Sequence, residues 1–256
     1  MENPNLPQGY ALARLDDVDS TNLEAFRRAR GGETGPLWIW AQSQSQGMGR
    51  QGREWVSETG NLYATLLLTL NVEPIHASGL SFVAALAIAD TLASLAPHAA
   101  ITHKWPNDIL LNGAKIAGIL IETELQGSRL TAAIGCGLNL AHAPQATRYP
   151  ATSLGATGIT AKPAEALERL ADHFAKHLAT WDEGRNFAAI RTAWLARAHA
   201  LGQTVSLTVA QETLTGTFTG LGADGAMILT LANGSTRALH AGEVQSTRQM
   251  MTGTTQ

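Results

Sequence analysis

The sequence predicts an α+β fold: a mixed, largely antiparallel sheet backed by helices, followed by a small β-barrel. Three observations carry that reading. Apolar runs of strand length, separated by Gly-containing turns, lie between Leu37 and Leu140. Four stretches repeat apolar residues at helical spacing. From about Leu201 the chain changes to alternating Thr, Val and Leu, with Gly216, Gly220, Gly225 and Gly234 marking turns. With 256 residues, 45% hydrophobic and 15% charged, the chain can bury a sizeable core and is not of disordered composition. The expected division is a first domain over 1–200, a barrel over 201–247 and a frayed polar tail over 248–256.

Taken in order, Asp19-Ser20-Thr21 precedes Leu23 and Phe26, and Thr21-x-x-Glu24 fits a capping box. A helix should begin there and stop at Gly31-Gly32. Leu37 to Ala41 reads as a strand, and Gln42 to Gly60, polar and Gly-rich, as a long irregular loop of the kind that is usually functional. Leu62 to Leu70 is a buried strand. Leu80, Val83, Ala84, Ala87 and Thr91 then mark a helix ending before Pro97. Asp108–Leu111, Ile116–Glu122 and Leu130–Leu138 are apolar runs separated by Asn112-Gly113 and Gln126-Gly127, the pattern of an antiparallel meander. Helices are expected over about 164–179 and 187–198.

Composition removes several function classes. The dense run Leu62–Leu70 falls well short of the roughly 20 residues that span a membrane, and Met1–Tyr10 does not read as a signal peptide, so a cytoplasmic setting with no membrane association is expected. A net charge of −3 argues against a nucleic-acid partner. Cys136 is the sole cysteine, which excludes an internal disulfide or a multi-Cys metal site; in its apolar run it reads as a small core residue.

Four segments could carry chemistry. Gly47-Met48-Gly49-Arg50-Gln51-Gly52-Arg53 has the G-x-G-x-x-G spacing, but no apolar helix follows, so the dinucleotide-binding reading fails on context. Flexible N–H donors interleaved with two guanidinium groups would suit a phosphate ester, although a solvated loop has the same composition. Lys104-Trp105-Pro106-Asn107-Asp108 packs a cation, an aromatic ring, an amide and a carboxylate into a strand-entry turn. Lys115 stands at the mouth of the apolar strand Ile116–Glu122, in which Gly118 permits close approach of a ligand or of another backbone. Gly135-Cys136-Gly137-Leu138-Asn139 could hold a flat ligand or form a bulge and turn.

Together with Asp19-Ser20-Thr21-Asn22, these segments, in this order, resemble the biotin protein ligases over roughly residues 15–245. The terminal barrel is similar to that family's SH3-like C-terminal domain. The resemblance implies an enzyme that activates biotin with ATP and Mg²⁺ to biotinyl-5'-AMP and transfers it to a lysine of a biotin carboxyl carrier protein domain. It implies catalytic roles for Lys115, Arg50 and Asp108. Biotin would contact Ser20, Thr21, Gln44, Gly47, Met48, Lys115, Gly118, Leu120, Gly135 and Gly137. The nucleotide would lie by Arg50, Arg53, Trp55, Asn107 and Asn139. Metal ligands are not assigned, and a homodimer is left open. One departure is Met48, where the best-known members carry arginine; a role through the backbone N–H would survive it, whereas a charge-stabilising role of the guanidinium would leave the adenylate less tightly held.

A lipoate ligase or octanoyltransferase of related fold is the nearest alternative, and the Gly-Arg loop with Lys104–Asp108 favours biotin over it. A biotin-sensing or DNA-regulatory module is a second. The dozen residues before the first motif are too few for the helix-turn-helix domain of some relatives. His173 and His177, spaced i, i+4, suggest a metal pair, but without a third ligand they read as two solvated histidines.

Overall fold

The computed structural model describes residues 3–126, 129–145, 147, 149–209 and 212–246; the expected tail 248–256 lies outside them. The larger unit is built on seven strands: β1 (Ala11–Val18), β2 (Leu37–Gln44), β3 (Leu62–Leu70), β4 (Ile101–Lys104), β5 (Asp108–Leu111), β6 (Ala114–Gln126) and β7 (Arg129–Leu138). Their spatial order is β1-β2-β3-β7-β6-β5-β4. β1 runs parallel to β2 and the other pairings are antiparallel, the mixed sheet that the sequence predicts. Asn112 and Gly113, both at positive φ (50° and 85°), close the β5–β6 hairpin as Asn-Gly turns do. Strands β1 and β4 are additions to the sequence reading. β1 is a charged sheet edge and β4 has only four residues, so neither carries a strong apolar alternation.

Helices α1 (Thr21–Arg30), α2 (Gly79–Leu95) and α3 (Pro163–Trp181) pack on the sheet, and α4 (Phe187–Leu195) packs on α2 and α3. The period-2 alternation of β2 assigns the faces. Trp38 and Trp40 enter the main core with α2 and α3, Trp38 meeting Phe174 edge-on at 5.7 Å. Leu37 and Ile39 point the other way, onto Ala25, Phe26 and Ala29 of α1. Truncating a fully buried aromatic such as Trp38 would cost about 3–5 kcal/mol. Helix α2 is apolar around most of its surface, Asp90 and two serines apart, because it is enclosed by the sheet, α3 and α4. By length and composition the segment Pro74–Leu95 could span a membrane, yet two thirds of its apolar window (67%) is buried inside this core.

Two local expectations change. Helix α1 starts where expected, but Ser20 is its N-cap and makes no side-chain cap bond. Glu24 pairs instead with Arg27 and Arg28 at 2.8 Å each, so there is no capping box. The segment Gln42–Gly60 is more regular than a loop: β2 runs to Gln44, Met48 bridges to Glu54, and the Trp55 N–H donates to the Gly47 carbonyl at 2.8 Å.

The C-terminal unit holds β8 (Thr204–Val209), β9 (Glu212–Leu221), β10 (Met227–Leu231), β11 (Thr236–Leu239) and β12 (Glu243–Ser246), all antiparallel in the order β11-β10-β9-β8-β12. Among the described residues β11 and β12 do not pair, so this is a five-stranded sheet without the closure that the term barrel implies. Trp105 joins the two units, its indole N–H donating to the Gly225 carbonyl at 3.1 Å.

Candidate active site

The alternation that builds the core also builds the site. In β7, Ile134, Cys136 and Leu138 face the main core, and in β6 Ala117 and Ile119 do the same. Gly135, Gly137, Gly118 and Leu120 therefore face the opposite side, where they floor a cleft of about 540 Å³ beside the start of α1. Cys136 is the core residue expected, its thiol pushed up to about 12 by burial. The glycines leave room for direct contact. A Cβ on Gly118 would lie 2.8 Å, and one on Gly137 2.6 Å, from the indole of Trp55.

The inner end of the cleft is neutral and polar. Asn22 donates through Nδ2 to the Glu122 carboxylate at 2.8 Å and to the Leu120 carbonyl at 3.3 Å, which turns its Oδ1 toward Thr65. Gln44 Oε1 accepts the Thr21 N–H at 2.9 Å, which fixes that amide as well. Thr65 Oγ1 then lies 2.7 Å from Asn22 Oδ1 and 2.8 Å from Thr21 Oγ1, and Thr21 Oγ1 lies 3.0 Å from Gln44 Oε1. Three oxygen–oxygen contacts share two hydroxyl protons, so this end has more acceptor capacity than protons to fill it. Ser20, Thr21 and Asn22 are each no more than 5% exposed and line the cleft. Behind them Arg27 grips Asp19 in a two-armed pair at 2.8 and 2.6 Å, and the hydrogen bond from Arg27 lowers the Asp19 carboxyl to about 2.

The outer end is cationic, and each cation has a partner within the chain. Lys115 Nζ meets Asp108 Oδ1 at 2.7 Å and lies 5.3 Å from the Trp55 ring. Arg53 makes a two-armed pair with Glu243 of β12 at 3.1 and 2.8 Å, which raises its pKa. Arg50 makes a long 3.4 Å contact to Asn107 Oδ1, and burial lowers its pKa. Lys104, almost buried, stacks over Tyr149 at 4.2 Å.

Among the residues expected from the sequence, Ser20, Thr21, Gln44, Met48, Arg50, Arg53, Trp55, Asn107, Asp108, Lys115, Gly118, Leu120, Gly135, Gly137 and Asn139 all line this one cleft. Gly47 does not; it lies beneath the loop against Ser57 and the Trp55 carbonyl. Met48 is 55% exposed. Asn139 is buried, its amide donating to the Thr152 carbonyl at 3.1 Å. Trp55, expected at a nucleotide base, lies instead on the glycine floor assigned to the other ligand. Asn22, Lys104, Tyr149 and Glu243 also line the cleft, and Thr65 stands behind it; sequence reasoning did not single them out as site residues. The first two sat inside quoted motifs, whereas nothing local marks Thr65, Tyr149 or Glu243. His177 is not simply solvated: its Nε2 meets Asp90 Oδ2 at 2.7 Å. Among the described residues no group of three or more His, Cys, Asp or Glu could hold a metal ion.

Comparison with known proteins points to one family. The model described as "Biotin/lipoate A/B protein ligase family" matches residues 12–139, and "Biotin protein ligase C terminal domain" matches residues 200–245. The biotin--[acetyl-CoA-carboxylase] ligase of Paracoccus denitrificans is 44% identical over 223 residues, 84% of this chain and 92% of that protein. The bifunctional ligase/repressor BirA of Escherichia coli (strain K12) is 38% identical over 135 residues, 52% of this chain and 41% of that longer protein. The structure of the biotin protein ligase from Aquifex aeolicus in complex with biotin and ATP matches with a TM-score of 0.75 at 26% identity, covering 92% of this chain and 97% of that one.

Proposed function

The chain belongs to the biotin protein ligases of the biotin/lipoate A/B protein ligase family, and on that premise we propose how its residues divide the work. It activates biotin with ATP, giving biotinyl-5'-AMP and pyrophosphate, and passes the biotinyl group to a lysine of a biotin carboxyl carrier protein.

The observation that carries the substrate assignment is the acceptor-rich inner end. A cyclic urea presents N–H donors to Thr21 Oγ1 and Gln44 Oε1 and a carbonyl to neighbouring donors. A dithiolane or an alkyl end presents neither, and would cut the spare acceptor sites off from water without replacing its hydrogen bonds, at about 1–3 kcal/mol each. Sites built to hydrogen-bond a substrate reject analogues that lack the group. Lipoate and octanoate are therefore poor substrates in this reading.

With the ureido ring at the inner end, the carboxylate points outward to the cations. One carboxylate oxygen attacks the α-phosphorus, the new O–P bond forms, and the bond to pyrophosphate breaks. Lys115 stands at that junction, where charge grows on the phosphoryl oxygens; Arg50 and Arg53 face the polyphosphate. Asn139 bounds the nucleotide side, and Trp55 lies on the glycine floor beside Lys115 at the junction. When bound, Mg²⁺ would supply further charge neutralisation for the triphosphate. Asp108 and Glu243, which line the cleft each beside a cation rather than in a carboxylate cluster, are the residues that would hold it, a donor set that fits one or two protein ligands. In the second step the acceptor amine attacks the biotinyl carbonyl carbon, the amide bond forms as the acyl–phosphate bond breaks and AMP leaves, and Asp108 orients the amine and takes up its proton. A cytoplasmic setting suits these substrates.

The test is pyrophosphate release with biotin, lipoate or octanoate as the sole acid. Release with biotin alone supports the reading, and equal or faster release with lipoate or octanoate overturns it.

A further inference from the structure

Ser57 belongs to none of the sequence motifs, yet it is where the two halves of the cleft meet. Gln44 spans the inner end: its Oε1 holds the Thr21 N–H at 2.9 Å, and its Nε2 donates to Ser57 Oγ at 3.0 Å. Ser57 Oγ in turn donates to the Trp55 carbonyl at 2.8 Å. A continuous chain of hydrogen bonds therefore runs from the start of α1 to the backbone of Trp55, whose ring lies on Gly118 and Gly137 beside Lys115. Gly47 closes the arrangement. It accepts the Trp55 N–H, and a Cβ there would lie 2.5 Å from both Ser57 Oγ and the Trp55 carbonyl.

The rest of this segment is weakly held. Met48 and Val56 are 55% and 48% exposed, so little apolar burial anchors it. Its other ties include the Met48–Glu54 bridge, the backbone bond from the Trp55 N–H to the Gly47 carbonyl, the long Arg50–Asn107 contact and the exposed Arg53–Glu243 pair, and none of these touches a side chain that reads the ureido ring. Ser57 alone among these ties connects the Gln44 amide to the position of Trp55.

We propose that Ser57 is a positioning residue that couples occupation of the inner end to the placement of Trp55 over the reaction junction, and so sets how long the biotinyl-adenylate is retained. This rests on the biotin-ligase reading above. A ligand that engages Gln44 restricts the amide, the amide holds Ser57, and Ser57 holds the Trp55 backbone in place over the junction. Without the hydroxyl the same ligand contacts form, but they no longer reach the loop.

The experiment uses the full chain with biotin and MgATP and no acceptor protein. Wild type should give a pyrophosphate burst of about one equivalent followed by slow turnover limited by adenylate release. In Ser57→Ala the slow phase should rise about 10-fold while the burst rate changes by less than about 3-fold, the scale of one lost hydrogen bond. Ser57→Thr, which keeps the hydroxyl, should restore retention. Hydrogen exchange over residues 47–57 should slow on adding biotin in wild type and in Ser57→Thr, but not in Ser57→Ala. Equal retention in wild type and Ser57→Ala would overturn the proposal, as would a Ser57→Ala loss that falls equally on the burst and leaves biotin-dependent exchange intact. If wild type shows no burst with biotin, the functional reading itself fails, and this proposal with it.

Discussion

The two ends of the cleft solve opposite problems. At the inner end Thr21, Asn22, Gln44 and Thr65 are neutral, held by groups that fix their amide orientations, and left with spare acceptor capacity. At the outer end Lys115 and Arg53 are charged and paired with carboxylates of the chain itself, and Arg50 leans on an amide. The contrast teaches that the neutral end is prewired, because hydrogen-bond direction must be set before a ligand arrives. In the proposed reaction the charged end is provisional, because phosphate oxygens would take over pairs that Asp108 and Glu243 now hold. Recognition should reside in the first and rate in the second.

Several measurements can break or sharpen that division. The largest expected effect is at the charged end: Lys115→Ala should slow adenylate formation about 100- to 1,000-fold while biotin binding, followed by calorimetry, changes far less. Lys115→Arg should recover part of the rate, since a planar fork replaces a compact ammonium. A near wild-type single-turnover rate in Lys115→Ala would place rate control elsewhere.

An acid-dependent loss that belongs to neither end must be separated from these. His103 is fully buried, and burial carries its pKa down to about 4, with Nδ1 3.1 Å from the Trp194 carbonyl. Between about 6.5 and 4 the unfolded chain takes up a proton that the folded chain does not. Stability from this group is therefore complete above about pH 6.5 and declines toward pH 4, by about 3 kcal/mol in all. Urea midpoints should fall over that range, and His103→Phe should flatten the slope.

At the neutral end, Thr21→Val should weaken biotin binding about 10- to 100-fold and leave the rate at saturating biotin close to wild type. A loss confined to the saturated rate would reverse the assignment of the two ends. The smallest change is expected from Met48→Arg. The side chain is mostly in solvent, so a new cation there should alter biotin affinity by less than about 3-fold, as judged from titrations at two salt concentrations.

Much of this was legible in the sequence, for local reasons. Asn112-Gly113 announces its hairpin, and the glycine–arginine loop, Lys104–Asp108 and Lys115–Glu122 carry their chemistry in short runs. What was illegible depends on tertiary contact. Thr65 sits in an apolar run and reads as one more strand residue until Asn22 and Thr21 are folded against it. Glu243 meets Arg53 across 190 residues, and β1 becomes a strand only through its parallel pairing with β2. The capping box failed because Gln44, distant in sequence, took the Thr21 hydroxyl and amide, leaving Glu24 to its arginine neighbours.

The glycine floor also sets a limit on engineering. Glycine within a strand costs about 0.5–1 kcal/mol relative to alanine, so Gly118, Gly135 and Gly137 would ordinarily be the first positions replaced to harden the protein against heat. Here a methyl group at 135 would stand 2.6 Å from Asn22 Oδ1, and those at 118 and 137 would press into Trp55. The same three positions are therefore closed to that route of stabilisation unless Asn22 or Trp55 moves. Stabilising substitutions should be sought on the helical face of the sheet instead.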